Sequence, residues 1–186
     1  VGVAMKLWDE PPDLKDHLKT CCAAADIADA RRVAETVGIP FYAVNYQRLF
    51  QDEVVDYFVE QYYSGRTPNP CIPCNSAMKF NHLQRLARQL GADHLATGHY
   101  ARVQLLEGSG RHALLKGVDG KKDQSYFLFD LTQEQLRGAL FPLGGHTKAE
   151  VRGMARERGL NVADKGESQE ICFAPDGDYG SVLRSH

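Results

Sequence analysis

Short apolar runs alternate with amphipathic stretches through the first hundred residues, and this alternation constrains the fold more than any other feature of the sequence. The runs at Val1–Met5, Phe41–Asn45 and His94–Thr97 are brief and mostly apolar, the pattern of buried strands. Between them, Cys22–Val37 carries Ala, Ile and Val at helical spacing and stops at Gly38 and Pro40. Val54–Tyr63 is amphipathic, and Ala77–Leu90 ends at Gly91. Strands separated by helices require crossover connections, which makes them parallel and covers their faces with helices. The expected class is therefore α/β, a parallel sheet with flanking helices. A chain that opens on Val-Gly-Val-Ala-Met reads as the middle of a buried strand, so further sheet is expected upstream of it.

Beyond Gly98 the pattern changes. Ala101–Leu106 and Ala113–Lys116 flank the polar turn Glu107–His112, which predicts a hairpin. Thr132–Leu140 and Lys148–Arg158 predict two helices, with Thr132 as N-cap of the first and Gly159 as the stop of the second. Asn161–His186 reads as loop-rich, and Asp9–Lys19 as a charged insertion. The expected division is an α/β domain over 1–100 and, over 101–186, a remainder holding the hairpin, two helices and a cysteine loop.

The sequence has no run of about 18 apolar residues and no basic start followed by an apolar stretch, so a soluble cytoplasmic protein with no membrane partner is expected. Its five cysteines are an odd number in a chain of 186 residues, which argues against a disulfide framework and leaves metal binding or thiol chemistry. The net charge of −2 hides an asymmetry: residues 64–122 hold nine Lys and Arg against three Asp and Glu. That middle third is the candidate face for a polyanion.

The densest chemical signal is Gly65-Arg66-Thr67-Pro68-Asn69-Pro70-Cys71-Ile72-Pro73-Cys74-Asn75. Three prolines fix φ and stiffen the loop, and a nucleophile held in place gains over one that must be ordered during reaction. A helix expected to begin at Ser76 or Ala77 would put Cys74 just before its N-terminus, where the helix dipole favours a thiolate. A Cys-x-x-Cys pair also suits metal. Zinc would need two further ligands, and three thiolates from Cys71, Cys74 and the distant Cys172 would suit an iron–sulfur cluster. Cys172 lies where the polar Gly166–Glu170 meets the apolar Ile171–Phe173. Cys21 and Cys22 open a helix and read as packing residues. Thr97-Gly98-His99-Tyr100 follows a strand, where open α/β sheets place ligands and Gly98 would admit a nucleotide. Lys121-Lys122-Asp123-Gln124-Ser125-Tyr126-Phe127 joins cations, an amide and aromatics, a mixture suited to phosphate and an unstacked base.

These motifs together resemble the bacterial tRNA-specific 2-thiouridylases, the MnmA (TrmU) family. The likeness runs through Met5-Lys6-Leu7-Trp8, Gly65–Pro70, Cys74-Asn75, Thr97–Tyr100, Lys122–Phe127 and Ile171-Cys172-Phe173. It implies a Rossmann-like, N-type ATP-pyrophosphatase fold and, with ATP and magnesium, adenylation of the wobble uridine at its C2 oxygen. It implies further that Cys172 takes a persulfide from a sulfur-relay donor protein, and that Cys74 resolves the sulfur bridge. Met5 and Gly98 fall at the nucleotide by the same resemblance. Asn69, Pro70 and Cys71 fall around the target base, and His99, Lys122, Asp123 and Gln124 on tRNA. The family's Ser-Gly-Gly-Val-Asp-Ser phosphate loop would precede Val1, and its two β-rich domains would follow His186, so the sequence reads as a fragment that is inactive alone. Many members carry Asp where Cys71 stands, which keeps open a [4Fe-4S] cluster on Cys71, Cys74 and Cys172. A different adenylating enzyme of the pyrophosphatase class, and a non-catalytic RNA- or metal-binding module, are the other readings.

Overall fold

A computed structural model describes residues 1–8, 24–166, 171–174 and 177–186. Cys21, Cys22, the stretch 9–19 and Glu167–Glu170 lie outside them. In chain order, β1 (Gly2–Lys6) is followed by α1 (Ala24–Val37) and β2 (Phe41–Asn45), and the two strands pair in parallel from Gly2↔Phe41 to Lys6↔Asn45. The helical stretch 47–63 is wound as α2 (Gln47–Phe50), a π segment (Gln51–Val55) and α3 (Asp56–Tyr63). A second helical stretch, 71–89, runs through α4 (Cys71–Pro73), a π segment (Cys74–Leu83) and α5 (Gln84–Gln89). Then come β3 (Leu95–Ala96), the antiparallel hairpin β4 (Ala101–Leu105) and β5 (His112–Lys116), and a 3₁₀ turn, Ser125–Leu128. The chain finishes with α6 (Gln133–Arg137), β6 (Ala139–Leu140), α7 (Lys148–Glu157) and α8 (Tyr179–Arg184). The fold is α/β and Rossmann-like, with β6 joining β3 in parallel as β2 joins β1.

Two compact units divide the chain, Val1–Pro70 with Ala155–His186, and Cys71–Met154. In the first, Leu7, Phe50, Val54 and Phe58 are almost fully buried. Phe173 stands edge-on to Phe50 and Phe58, with ring centroids 5.8 and 5.2 Å apart, an arrangement aromatic quadrupoles favour. In the second, Phe80, Ala101, Leu128, Leu131, Leu136, Ala139 and Phe141 form one core, against which Leu95, Val103 and Leu114 pack.

Four expectations are corrected. The helix expected from Ser76 or Ala77 starts at Cys71. Prolines at 70 and 73 do not forbid this, because the first four N–H groups of a helix have no acceptor within it, and a missing one there costs nothing. The helix expected over Thr132–Leu140 stops at Arg137, and Ala139–Leu140 becomes strand β6. Gly138 sits at the change: a Cβ there would lie 2.4 Å from Gln84 Nε2, so any larger residue would have to displace the Gln84 amide from the Gln135 carbonyl. The helix expected from Val54 begins at Gln47. The loop-rich end also contains α8, whose first turn is capped by Asp178 accepting from the Ser181 N–H at 3.1 Å. The Thr132 cap is present, as a capping box with Gln135.

Candidate active site

Cys71 opens the helical stretch 71–89 and is exposed, whereas Cys74, one turn on, is half-buried. Three residues apart on a helix, the two face the same side. The next residue, Asn75, is 3% exposed and ties the stretch down. Its Nδ2 donates to the Phe127 carbonyl at 3.1 Å, and its Oδ1 accepts from Lys79 Nζ at 2.9 Å. Gln135 Nε2 donates to the Ser76 carbonyl at 2.8 Å, and Gln84 Nε2 donates to the Gln135 carbonyl at 3.1 Å. The 3₁₀ turn Ser125–Leu128 packs against both α4 and the π segment that follows it. The structure thus brings Cys71 and Cys74 together with the loop 117–128, which carries Lys122, Asp123 and Gln124.

That loop is held from within. Asp123 accepts from the Gly117 N–H at 2.8 Å, from Ser125 Oγ at 2.9 Å and from the Ser125 N–H at 3.3 Å. Burial works to raise its pKa, but these donors, with Lys116 nearby, outweigh it and hold the carboxyl below its usual range. Gln124 pairs with Tyr100 in both directions: its Oε1 accepts from the Tyr100 N–H and its own N–H donates to the Tyr100 carbonyl, each at 2.9 Å. Lys122 is half-buried, and its N–H donates to the Asp119 carbonyl at 3.0 Å. Tyr126 and Phe129, 63% and 62% exposed, show their rings on the same segment.

His99 is 8% exposed and packs against the rings of Phe80 and Phe141, which also touch each other. Its Nδ1 is 2.8 Å from Thr97 Oγ1. Burial, with the charge of Lys79 as a second cause, pushes its pKa down to about 3, so the imidazole is neutral at physiological pH. Gly98 follows β3 by two residues and has no need of a left-handed backbone. A Cβ there would touch only Leu143 Cδ1, at 3.7 Å, so the backbone is open to close approach.

The first unit holds Met5, Asn69, Pro70 and Cys172. Met5 is buried near the end of β1, in register with Val44, and Pro70 is buried while Asn69 is half-buried. Met5 stands near the carboxyl end of β1 in this unit, and Gly98 follows the carboxyl end of β3 in the other. Cys172 is half-buried in a turn closed by the Ala174 N–H on the Ile171 carbonyl at 3.0 Å. Phe173, anchored between Phe50 and Phe58, fixes the turn beside it. Among the described residues, no three His, Cys, Asp or Glu side chains gather as metal ligands. No described helix is long and apolar enough to cross a membrane.

Sequence reasoning placed Asn75 in the thiol motif without a role and missed Lys79; the two link the thiol-bearing turn to Phe127 and His99. A polar residue at a core-facing position of an amphipathic helix was the signal available for Asn75.

Residues 1–176 match the family model described as the tRNA methyl transferase HUP domain. A tRNA-specific 2-thiouridylase MnmA from Geobacter metallireducens is 58% identical over 98% of this chain and 50% of its own length. One from Caldanaerobacter subterraneus is 52% identical over 99% of the chain and 51% of its own, and one from Clostridioides difficile 47% identical over 100% and 51%. The chain spans about half the length of these curated relatives.

Proposed function

Because the chain belongs to the tRNA-specific 2-thiouridylase family, we propose that it serves the sulfuration of tRNA at C2 of the wobble uridine, in the cytoplasm. The observation that carries this reading lies within the second unit, where a half-buried thiol on a tethered helical turn packs beside a loop presenting Lys122, Tyr126 and Phe129. A cation and exposed rings next to a thiol suit an unpaired base taken out of its stack, with its phosphate nearby.

ATP, with magnesium, supplies the activation that makes the C2 oxygen a leaving group. Met5 and Gly98 are the proposed nucleotide contacts. Asn69, Pro70 and Cys71 border the base. Lys122 meets the RNA, and Asp123, Gln124 and His99 hold the surface that receives it. Cys172 accepts a persulfide from a sulfur-relay protein, and its outer sulfur attacks C2 as the activated oxygen leaves. The Cys74 thiolate then attacks the Cys172 sulfur. The bond to the outer sulfur breaks, its electron pair stays on the 2-thio group, and a Cys74–Cys172 disulfide remains for a reductant to reopen.

The test is thiolation of a transcribed tRNA by the protein in its full natural length, with ATP and a persulfide donor. Cys74→Ser and Cys172→Ser each drop turnover by at least about a thousandfold, the scale for losing a nucleophile, whereas Cys71→Ala keeps most of it. Full thiolation by Cys172→Ser would overturn the two-thiol scheme, and no thiolation by the wild type would favour another adenylating enzyme. Equal loss in Cys71→Ala, with inactivation by an iron chelator, would replace the disulfide by a cluster.

A further inference from the structure

Two adjoining cavities of the second unit lie outside that site. One, of about 520 Å³, is lined by His94, Arg102, His112 and Arg137 among apolar residues, with no carboxylate on its wall. The other, of about 660 Å³, shares His94 and Arg137 with it. Its wall also carries two carboxylates, Asp93 and Glu134, of which Glu134 is paired with Arg88 at 2.6 Å, so the cationic face lies on the side of Arg102 and Arg137. Neither Arg102 nor Arg137 has a carboxylate partner among the described residues.

Arg102 is also held in place. Its Nε donates to the Lys116 carbonyl at 2.9 Å, and among the described residues its terminal guanidinium nitrogens have no hydrogen-bond acceptor. A Cβ on Gly144 would stand 2.9 Å from Arg102 Cγ, so glycine keeps open the room this side chain occupies. Arg137 is placed by the end of α6, and His94 by the turn before β3. A fixed guanidinium with unpaired donors is a preorganised phosphate receptor.

We propose that this face is a second RNA contact, a groove for the tRNA backbone outside the anticodon loop, clamped by Arg102 and Arg137. The inference rests on the sulfuration reading. The full-length protein is titrated with a whole tRNA transcript and, separately, with its anticodon stem-loop, over a range of salt. Arg102→Ala and Arg137→Ala each weaken whole-tRNA binding by roughly tenfold and lower the salt slope by about one. Binding of the stem-loop does not change, and Arg137→Lys keeps most of the slope. Wild-type affinity and slope in both alanine variants would overturn the proposal, as would weaker affinity with an unchanged slope. A wild-type protein that binds no tRNA at all would be a different result, and would sink the sulfuration reading itself.

Discussion

Asn75 shows what a single residue does in this molecule. Both ends of its amide are used, by the Phe127 carbonyl and by Lys79, and it is almost fully buried. Asn75→Ala removes the partner of two half-buried groups, the Phe127 carbonyl and the Lys79 ammonium, so it costs about 1–2 kcal/mol, measured as a shift in the urea midpoint at constant m. Losing Asn75 also unties Cys74 from the loop 117–128, and alkylation of Cys74 speeds up in the same variant. His99 makes a second prediction. Its folded pKa of about 3 lies below its ordinary 6.5, so the unfolded chain takes up a proton over that interval while the folded one does not. This group's contribution is intact above about 6.5 and is lost as the pH falls toward 3. The slope approaches 1.4 kcal/mol per pH unit. Urea melts of His99→Gln from pH 7 to 4 lose that part of the acid dependence, and an unchanged slope would mean the ring is not neutral. At this scale the sequence was legible by residue type rather than by role. Asp123 and Gln124 were readable as polar residues in a nucleic-acid loop, but their side chains are spent on backbone groups of Gly117, Ser125 and Tyr100. Gly117 and Tyr100 stand 6 and 24 residues away, and that choice of partner is made by the fold.

Among the elements, the strands were the easiest to read. β1, β2 and the hairpin β4–β5 fall within a residue or two of their apolar runs, because a buried strand needs only local hydrophobicity between turn residues. The helices were legible in kind but not in winding. Residues 51–55 and 74–83 form π segments, whose i→i+5 bonds arise where packing asks for one residue more per turn than the sequence period suggests. The segment at 74–83 bears Cys74. α6 was overextended because apolar Ala139–Leu140 continues a helical pattern, and only pairing with β3 turns it into strand. Two substitutions probe these elements. Thr132→Ala removes one side of the capping box and costs about 1 kcal/mol, read from thermal melts. Gly144→Ala is far worse, because the new methyl would stand 1.6 Å from the Ala101 carbonyl oxygen. A collision with backbone cannot be relieved by a rotamer change, so we expect loss of the soluble folded protein at 37 °C, scored by expression and circular dichroism. A Gly144→Ala variant that folds normally would show that the turn after β6 moves freely from the hairpin.

At the scale of the whole chain, the sequence suggested a cut near residue 100, where strand-and-helix alternation gives way to a hairpin. Compactness follows other lines, since the second unit joins the thiol-bearing helical stretch 71–89 to the hairpin and to α6, all around one core. Periodicity has no access to that grouping: Phe80 and Phe141 meet edge-on at 5.7 Å although sixty-odd residues separate them in sequence. Each unit having its own core has a consequence for stability. Leu128 is fully buried at the centre of the second unit, and Leu128→Ala should destabilise that unit by roughly 2–5 kcal/mol. If the units open independently, native-state hydrogen exchange quickens throughout 71–154 while amides of β1 and α3 keep their protection. Equal acceleration in β1 and α3 would instead make the chain a single cooperative body. The first outcome has a functional corollary. A Cys74 turn that opens with residues 71–154, while the Cys172 turn stays anchored by Phe173, would let the two thiols be exposed to reductant separately, so Leu128→Ala should raise the alkylation rate of Cys74 and leave that of Cys172 unchanged.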